Sequence, residues 1–272
     1  MTATTESEDA ALVTGASSGI GAALALEVAA DGYDLVLTAR REAKLEAVAS
    51  EAREQYGVAA TVLPQDLAEP DGAASLADRV AATDHRIDRL INSAGFPTYG
   101  PATETDPETA RDQVTVNATA LTELTVRLAA PMAERRHGGV VNVGSAAGYY
   151  PAPRTAVYAA SKAYVNHFSR AVAAELEPLG VTVSVVCPTA VDTEFVERGG
   201  MAESGVDDGL THDPVDVART TWNGHLDGER VIFPDLKDRL VGFTPRLLPH
   251  RVVTSLGGSA FDDGTFPFLA DE

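Results

Sequence analysis

Thr14-Gly15-Ala16-Ser17-Ser18-Gly19-Ile20-Gly21 stands between a short apolar run, Ala10–Val13, and a stretch with helical spacing, Ile20–Ala30. Three glycines in eight residues mark a tight turn from a strand straight into a helix. Gly15 permits the turn, Gly19 lets the backbone approach a ligand, and Gly21 lets helix and strand pack closely. The first N–H groups of such a helix have no partner within it, and its dipole places partial positive charge there, which suits a phosphate. The spacing is G-x-x-x-G-x-G rather than G-x-G-x-x-G. A glycine-rich turn alone can be no more than a turn. Set after a strand and before a helix, it reads as a dinucleotide loop, with Ser17, Ser18 and Ile20 between and beside the glycines.

Working outward, short apolar runs keep alternating with helical patterns. Asp34–Thr38, Ala60–Leu63, Arg89–Asn92, Gly139–Val143, Val181–Cys187 and Val231–Phe233 read as strands. Helical spacing fills Arg41–Tyr56, Gly72–Ala82, Pro107–Val114, Asn117–Ala133, Tyr158–Leu176 and Asp213–Leu226. The strands are near-continuously apolar, which implies burial on both faces, and strands separated by helices make βαβ units. The expected fold is α/β: a Rossmann-type doubly wound parallel sheet of about seven strands in a single domain over residues 10–235. A polar tail, 1–9, precedes it and an amphipathic extension with an acidic end, 236–272, follows.

Composition narrows the class. The chain has 272 residues, 44% hydrophobic and 22% charged, which is ordinary for a globular protein. One cysteine, Cys187, excludes a disulfide framework and a cysteine-cluster zinc site, and at the end of an apolar strand it reads as a buried small hydrophobe. The six histidines show no metal-ligand spacing, so no metal is expected. No apolar run is long enough to span a bilayer and the N-terminus lacks a signal-peptide pattern, so a cytoplasmic location is expected. The net charge of -19 repels nucleic acid. Only Lys44, Lys162 and Lys237 are lysines, so arginine supplies the other cations. An acidic, lysine-poor chain reads as adaptation to concentrated salt, or as the codon bias of a GC-rich genome.

The second strand runs into Arg40 and Arg41. An acid there would bind the 2′-hydroxyl of NAD, whereas arginines favour a 2′-phosphate, so NADP(H) is expected over NAD(H). Arg41 capping the next helix as a solvated charge is the plainer alternative. Asp66, with Leu67 beside it, follows the third strand and could accept from an adenine amino group or simply cap a helix. Tyr158 and Lys162 stand at i and i+4 and so share a helix face. A free phenol titrates near 10, and a neighbouring ammonium is expected to pull that down toward use as an acid or base.

The glycine loop, Asn92-Ser93-Ala94-Gly95, Asn117, Ser145, Tyr158/Lys162 and Cys187-Pro188-Thr189-Ala190-Val191-Asp192-Thr193 occur in an order that resembles the classical short-chain dehydrogenases/reductases (SDR). Arg40-Arg41, Thr193-Glu194-Phe195 and the C-terminal tail look most like their DltE-like branch. The resemblance covers roughly residues 10–235. It implies Tyr158 as general acid/base, Lys162 on the nicotinamide ribose, Ser145 on the substrate oxygen and Asn117 in a proton relay. It also implies Asn92, Ala94 and Gly95 on the adenosine side and Pro188, Val191 and Thr193 at the carboxamide end. The implied activity is hydride transfer between NADP(H) and a small-molecule ketone, aldehyde or alcohol, and the implied assembly is a homodimer or homotetramer. A dinucleotide-binding regulator, or an epimerase or dehydratase with retained cofactor, are the alternatives. Two positions depart from the family pattern: Ser93 replaces an asparagine and Thr189 a glycine.

Residues 192–212 have the place of a lid over the substrate, with Gly199, Gly200, Gly205 and Gly209 as hinges. Tyr149 and Tyr150 are candidates for the pocket wall. Leu236, Leu240, Phe243 and Leu247 fall at helical spacing, and Pro245 and Pro249 should divide the tail into short helices. This locally basic segment could pack over the active-site mouth, meet a second subunit or lie on a membrane.

Overall fold

The computed structural model describes residues 9–194, 211–249 and 251–254. Most of the expected lid, with its four glycines, the acidic end and all but the last residue of the N-terminal tail lie outside them. The central sheet contains seven strands: β1 (Asp9–Thr14), β2 (Asp34–Thr38), β3 (Ala60–Val62), β4 (Arg86–Asn92), β5 (Gly138–Val143), β6 (Val181–Val186) and, last in the chain, Val231–Ile232. Its order is β3-β2-β1-β4-β5-β6 followed by that last strand, and every pairing is parallel. The helices between them are α1 (Gly19–Ala30), α2 (Glu42–Tyr56), α3 (Gly72–Ala81), α4 (Pro107–Val114), α5 (Leu121–Arg135), α6 (Ala156–Leu176) and α7 (Pro214–Leu226).

The two-residue period of a strand sorts neighbouring side chains into two cores. Ala11, Val13, Leu35, Leu37, Ile91 and Val141 pack with α1, α2 and α7 through Leu24, Val28, Leu45 and Trp222. Leu12, Val36, Leu90 and Val140 face the other way, onto Leu76, Val80, Leu124 and Met132 of α3 and α5. Both faces being covered is why the strands read as unbroken apolar runs. The chain reverses its winding between β1 and β4, so a crevice opens beyond the carboxyl ends of these strands, where Thr14, Thr38 and Asn92 stand.

Two local features differ from the sequence reading, and a third, the extension, follows it. Pro107–Val114 and Asn117–Ala133 are not separate helices: α4 passes through a π-helical turn, Thr115–Ala120, straight into α5. Such turns widen a helix without a proline or glycine to announce them. A second sheet of two short parallel strands, β7 (Ala190–Val191) and β8 (Thr211–His212), joins the two sides of the 192–212 segment. The extension begins as α8 (Leu236–Phe243), capped by a reciprocal pair between Asp235 and Asp238, and continues as a 3-10 turn at Thr244–Arg246. Among the described residues no helix is long and apolar enough to cross a membrane.

Candidate active site

A cleft of about 730 Å³ lies over the carboxyl edge of the sheet, within the range of small-molecule sites. Its floor is the glycine loop. Gly15 has φ +69°, and a Cβ there would come 2.8 Å from the Ala94 nitrogen; a Cβ on Gly21 would come 2.4 Å from the Gly15 carbonyl oxygen. Loop, β4 end and α1 therefore meet as closely as backbone allows. The α1 N-cap, Ser18, makes no capping hydrogen bond with its side chain, and the first turn carries no acid. Thr38 Oγ1 is buried on the lining without a hydrogen-bond partner. An uncapped helix start, a cradle that a Cβ would fill and an unpartnered hydroxyl fit a phosphate-bearing dinucleotide.

The arginine pair divides its work. Arg41 donates from Nη2 to the hydroxyls of Ser17 at 3.1 Å and Ser18 at 2.9 Å, and from Nη1 to Glu194 at 2.8 Å. Arg40 is more exposed and lies 3.9 Å from Asp66. Asp66 caps its own turn by accepting from the Ala68 N–H, and it lines the cleft with Leu67. Ala94, Gly95, Pro188, Val191 and Thr193 also line it, with Gly19 and Ile20.

Asn92 does not. Its amide donates to Asn142 Oδ1 at 2.9 Å and Thr125 Oγ1 at 3.1 Å, so it is buried behind the loop and ties β4 to β5 and α5. The strand alternation turns its side chain inward, away from the cleft. Of the tyrosine pair, Tyr150 lines the cleft, while Tyr149 packs against Phe233 with its hydroxyl 3.7 Å from Cys187 Sγ.

Ser145, Tyr158 and Lys162 converge at the far end. Ser145 lies two residues beyond β5 and caps the turn Ala146–Tyr149 by accepting from the Ala147 N–H at 3.1 Å. It also shares a side-chain hydrogen bond with Tyr158. Lys162, one helical turn on, donates to the Val143 carbonyl at 2.7 Å, 5.8 Å from the Tyr158 ring centre. Burial governs both groups. It pushes the Tyr158 phenol up to about 12, against the bond to Ser145, and the Lys162 ammonium down to about 8. The phenol is thus raised rather than lowered as the sequence reading expected: desolvation disfavours the phenolate, and the lysine is spent on a carbonyl. Asn117, in the π-helical turn, accepts from the Phe96 N–H at 3.0 Å and donates to the Phe96 carbonyl and to Ser161 Oγ. A Cβ on Gly95 would touch both Asn117 Oδ1 at 3.0 Å and Lys162 Nζ at 3.8 Å, so these side chains flank that glycine.

Several supporting residues carry no signal of their own in the sequence. Asn166 donates to the Ser145 carbonyl at 2.9 Å, and Ser161 donates to the Tyr158 carbonyl at 2.7 Å. Thr14 Oγ1 accepts from the N–H groups of Ser93 and Ala94. Asn166 lies one turn after Lys162 on the buried face of α6, the single hint that spacing could offer. Asp238 of α8 is fully buried and accepts from the Thr189 N–H at 2.8 Å, the Thr189 hydroxyl at 2.6 Å, the Asp235 N–H and His212 Nε2. The described part of the extension therefore packs on its own domain, as one of its three expected alternatives had it. His212, Asp235 and Asp238 bring ligand atoms within 4.8 Å of one another, but the oxygens of Asp238 are already taken up by these donors.

A family model described as short chain dehydrogenase matches residues 9–203. The chain is 36% identical over 191 residues to a very-long-chain 3-oxoacyl-CoA reductase from Anas platyrhynchos, a match covering 68% of this chain and 60% of that protein. It is 35% identical over 196 residues to sulfoacetaldehyde reductase 2 from Chromohalobacter salexigens, covering 71% of this chain and 77% of the other. A solved short-chain dehydrogenase from Sphingobium yanoikuyae in complex with NADPH superposes with a TM-score of 0.78 at 34% identity, over 88% of this chain and 94% of that one. A match of that extent, on a sheet of this order, makes the chain a member of the short-chain dehydrogenase/reductase family.

Proposed function

We propose that the protein is an NADP(H)-dependent oxidoreductase that interconverts a ketone or aldehyde with an alcohol. The observation that carries this reading is the convergence of Ser145, Tyr158 and Lys162 on a cleft whose other end is a glycine cradle at a helix start. Solved relatives described with bound NADPH or NADP support the choice of cofactor, as does the pair Arg40 and Arg41.

The α1 N-terminus and residues 15–21 would hold the pyrophosphate, Asp66 and Leu67 the adenine, and Arg40 and Arg41 the 2′-phosphate. Ala94 and Gly95 would line the adenosine side, and Pro188, Val191 and Thr193 the carboxamide end. Once bound, the nicotinamide supplies or accepts the hydride. Ser145 donates a hydrogen bond to the substrate oxygen and stabilises the charge that develops there. Tyr158, kept protonated by burial, hands its proton to that oxygen as it becomes an alkoxide, and takes one back in the oxidative direction. Lys162 would hold ribose hydroxyls, and its charge would limit the cost of the phenolate left on Tyr158. Asn117 fixes the backbone at Phe96 beside it.

The test is a fluorescence titration with NADPH and NADH in high KCl, followed by turnover of a carbonyl panel by wild type and Tyr158→Phe. NADPH is expected to bind more tightly than NADH. The variant is expected to lose about 10²- to 10⁴-fold in kcat with NADPH affinity retained. Binding of neither nucleotide by folded protein, or full turnover by the variant, would overturn the reading.

A further inference from the structure

The segment after the last strand forms one wall of the cleft through Leu240, Val241, Pro245, Leu248 and Val253. That wall stands at the catalytic end. Its helix, α8, packs on the turn Ala146–Tyr149 directly after Ser145, where a Cβ on Gly242 would come within 3.4 Å of the Tyr149 ring. The same helix holds Thr189, beside Pro188, through the buried Asp238 carboxylate. The charged residues on the lining are Arg40, Arg41, Asp66, Asp112 and Lys162. Arg40, Arg41 and Asp66 stand at the ends of β2 and β3, and Lys162 is held against Val143. The remaining charge, Asp112, is an acid.

We infer that the site takes an uncharged, mainly apolar ketone with a hydrocarbon part long enough to lie along Leu240, Val241, Leu248 and Val253. The inference rests on the oxidoreductase reading and adds its substrate class. A carboxylate, sulfonate or phosphate on the substrate would meet no cation on this wall among the described residues, in a chain whose net charge of -19 already repels anions. Moving such a group out of water against leucine and valine is strongly unfavourable. Each buried methylene, by contrast, favours binding about fourfold. The names of the relatives do not decide the matter, since they range from a long acyl thioester to a small sulfonate.

The experiment follows NADPH oxidation with acetone, 2-decanone and 9-oxodecanoate, the last two alike in chain and different in charge. The kcat/KM for 2-decanone is expected to exceed each of the others at least tenfold, mainly through KM. Leu248→Arg is expected to cut the preference for 2-decanone over 9-oxodecanoate at least tenfold, with retained NADPH affinity as the check on folding. Leu240→Arg, at a more exposed position, repeats the test if the first variant fails that check. Equal or better kcat/KM with 9-oxodecanoate or acetone would overturn the substrate class and leave the oxidoreductase standing. Failure to oxidise NADPH with any carbonyl, although NADPH binds, would overturn the reading beneath it as well.

Discussion

Arg41 and Lys44 both hold the carboxylate of Glu194, which their hydrogen bonds keep well below the usual carboxylate range. A 2′-phosphate would compete with that carboxylate for Arg41. Glu194→Gln is therefore expected to tighten NADPH about two- to fivefold while leaving NADH nearly unchanged, the scale of a solvent-exposed ion pair. Equal effects on the two nucleotides, measured by titration, would remove Glu194 from the 2′-phosphate site. His225 is a second residue with a charge to avoid. It is stacked on Trp222, bonded to Ser184, and held by burial at a pKa of about 3 against an ordinary 6.5. Its depressed folded value means that the unfolded chain binds the proton first. Its contribution is whole above pH 6.5 and is lost by about 1.4 kcal/mol per unit as pH falls from there toward 3. Chemical denaturation at pH 7, 6 and 5 should show this slope in wild type and a flatter one in His225→Gln; identical slopes would clear His225. The pairing of neither Glu194 nor His225 is legible in the sequence, because partners 153 and 41 residues away define them. Tyr158 and Lys162 are legible because one helical turn joins them. What spacing does not report is that burial, rather than the ammonium, sets the phenol.

Among elements, α8 and the loop after β6 act as one unit through Asp238. Replacing one of its oxygens with an amide NH2 sets a donor either against the N–H and hydroxyl of Thr189 or against the N–H of Asp235. Leaving buried donors unmatched costs about 1–3 kcal/mol. Asp238→Asn is thus expected to lower the urea midpoint by a comparable amount and to raise the Kd for NADPH, because Thr189 adjoins Pro188 on the cleft. In a Thr189→Gly background the hydroxyl's share of that penalty should vanish while the share of the backbone N–H remains, and an undiminished cost there would show that the hydroxyl carries none of it. The pairing gives a physical reason for threonine where the family pattern has glycine: its hydroxyl is the second donor to a carboxylate that the extension brings. The helical spacing of Leu236, Leu240 and Phe243 makes α8 readable in advance, but spacing alone leaves open what it packs against. The π-helical turn is hidden for a related reason. Thr115–Ala120 contains no breaker, and the turn puts Asn117 where it can hold Phe96 from both sides. β7 and β8, two residues each, are too short for any period to register.

For the molecule as a whole, the alternation of apolar runs and helices specifies the sheet because each strand must be covered on both faces, and that need is written locally in every strand. The surface charge follows no such local rule. Forty acids face 21 bases, so even complete pairing leaves a net -19 to repel itself. Surface pairs such as Arg127–Glu123 and Arg86–Asp9 lose strength in salt, but the net charge of -19 that no pairing cancels is screened as well. Repulsion should win, so the protein is expected to gain stability from KCl. Between about 0.15 M and 1 M the Debye length falls from about 8 Å to 3 Å. A gain of about 1 kcal/mol would raise Tm by roughly 2–4 °C in a chain of this size. Salt also strengthens apolar burial, and that effect does not depend on net charge. The two causes separate near the sequence pI of about 4.6, where the net charge vanishes. Thermal unfolding in 0.15 M and 1 M KCl should show a clear rise at pH 7.5 and little at pH 4.6. The loss from His225 at the lower pH is common to both salt concentrations and cancels from the difference. Equal rises at the two pH values would assign the gain to apolar burial and remove charge repulsion as the reason that this chain favours salt.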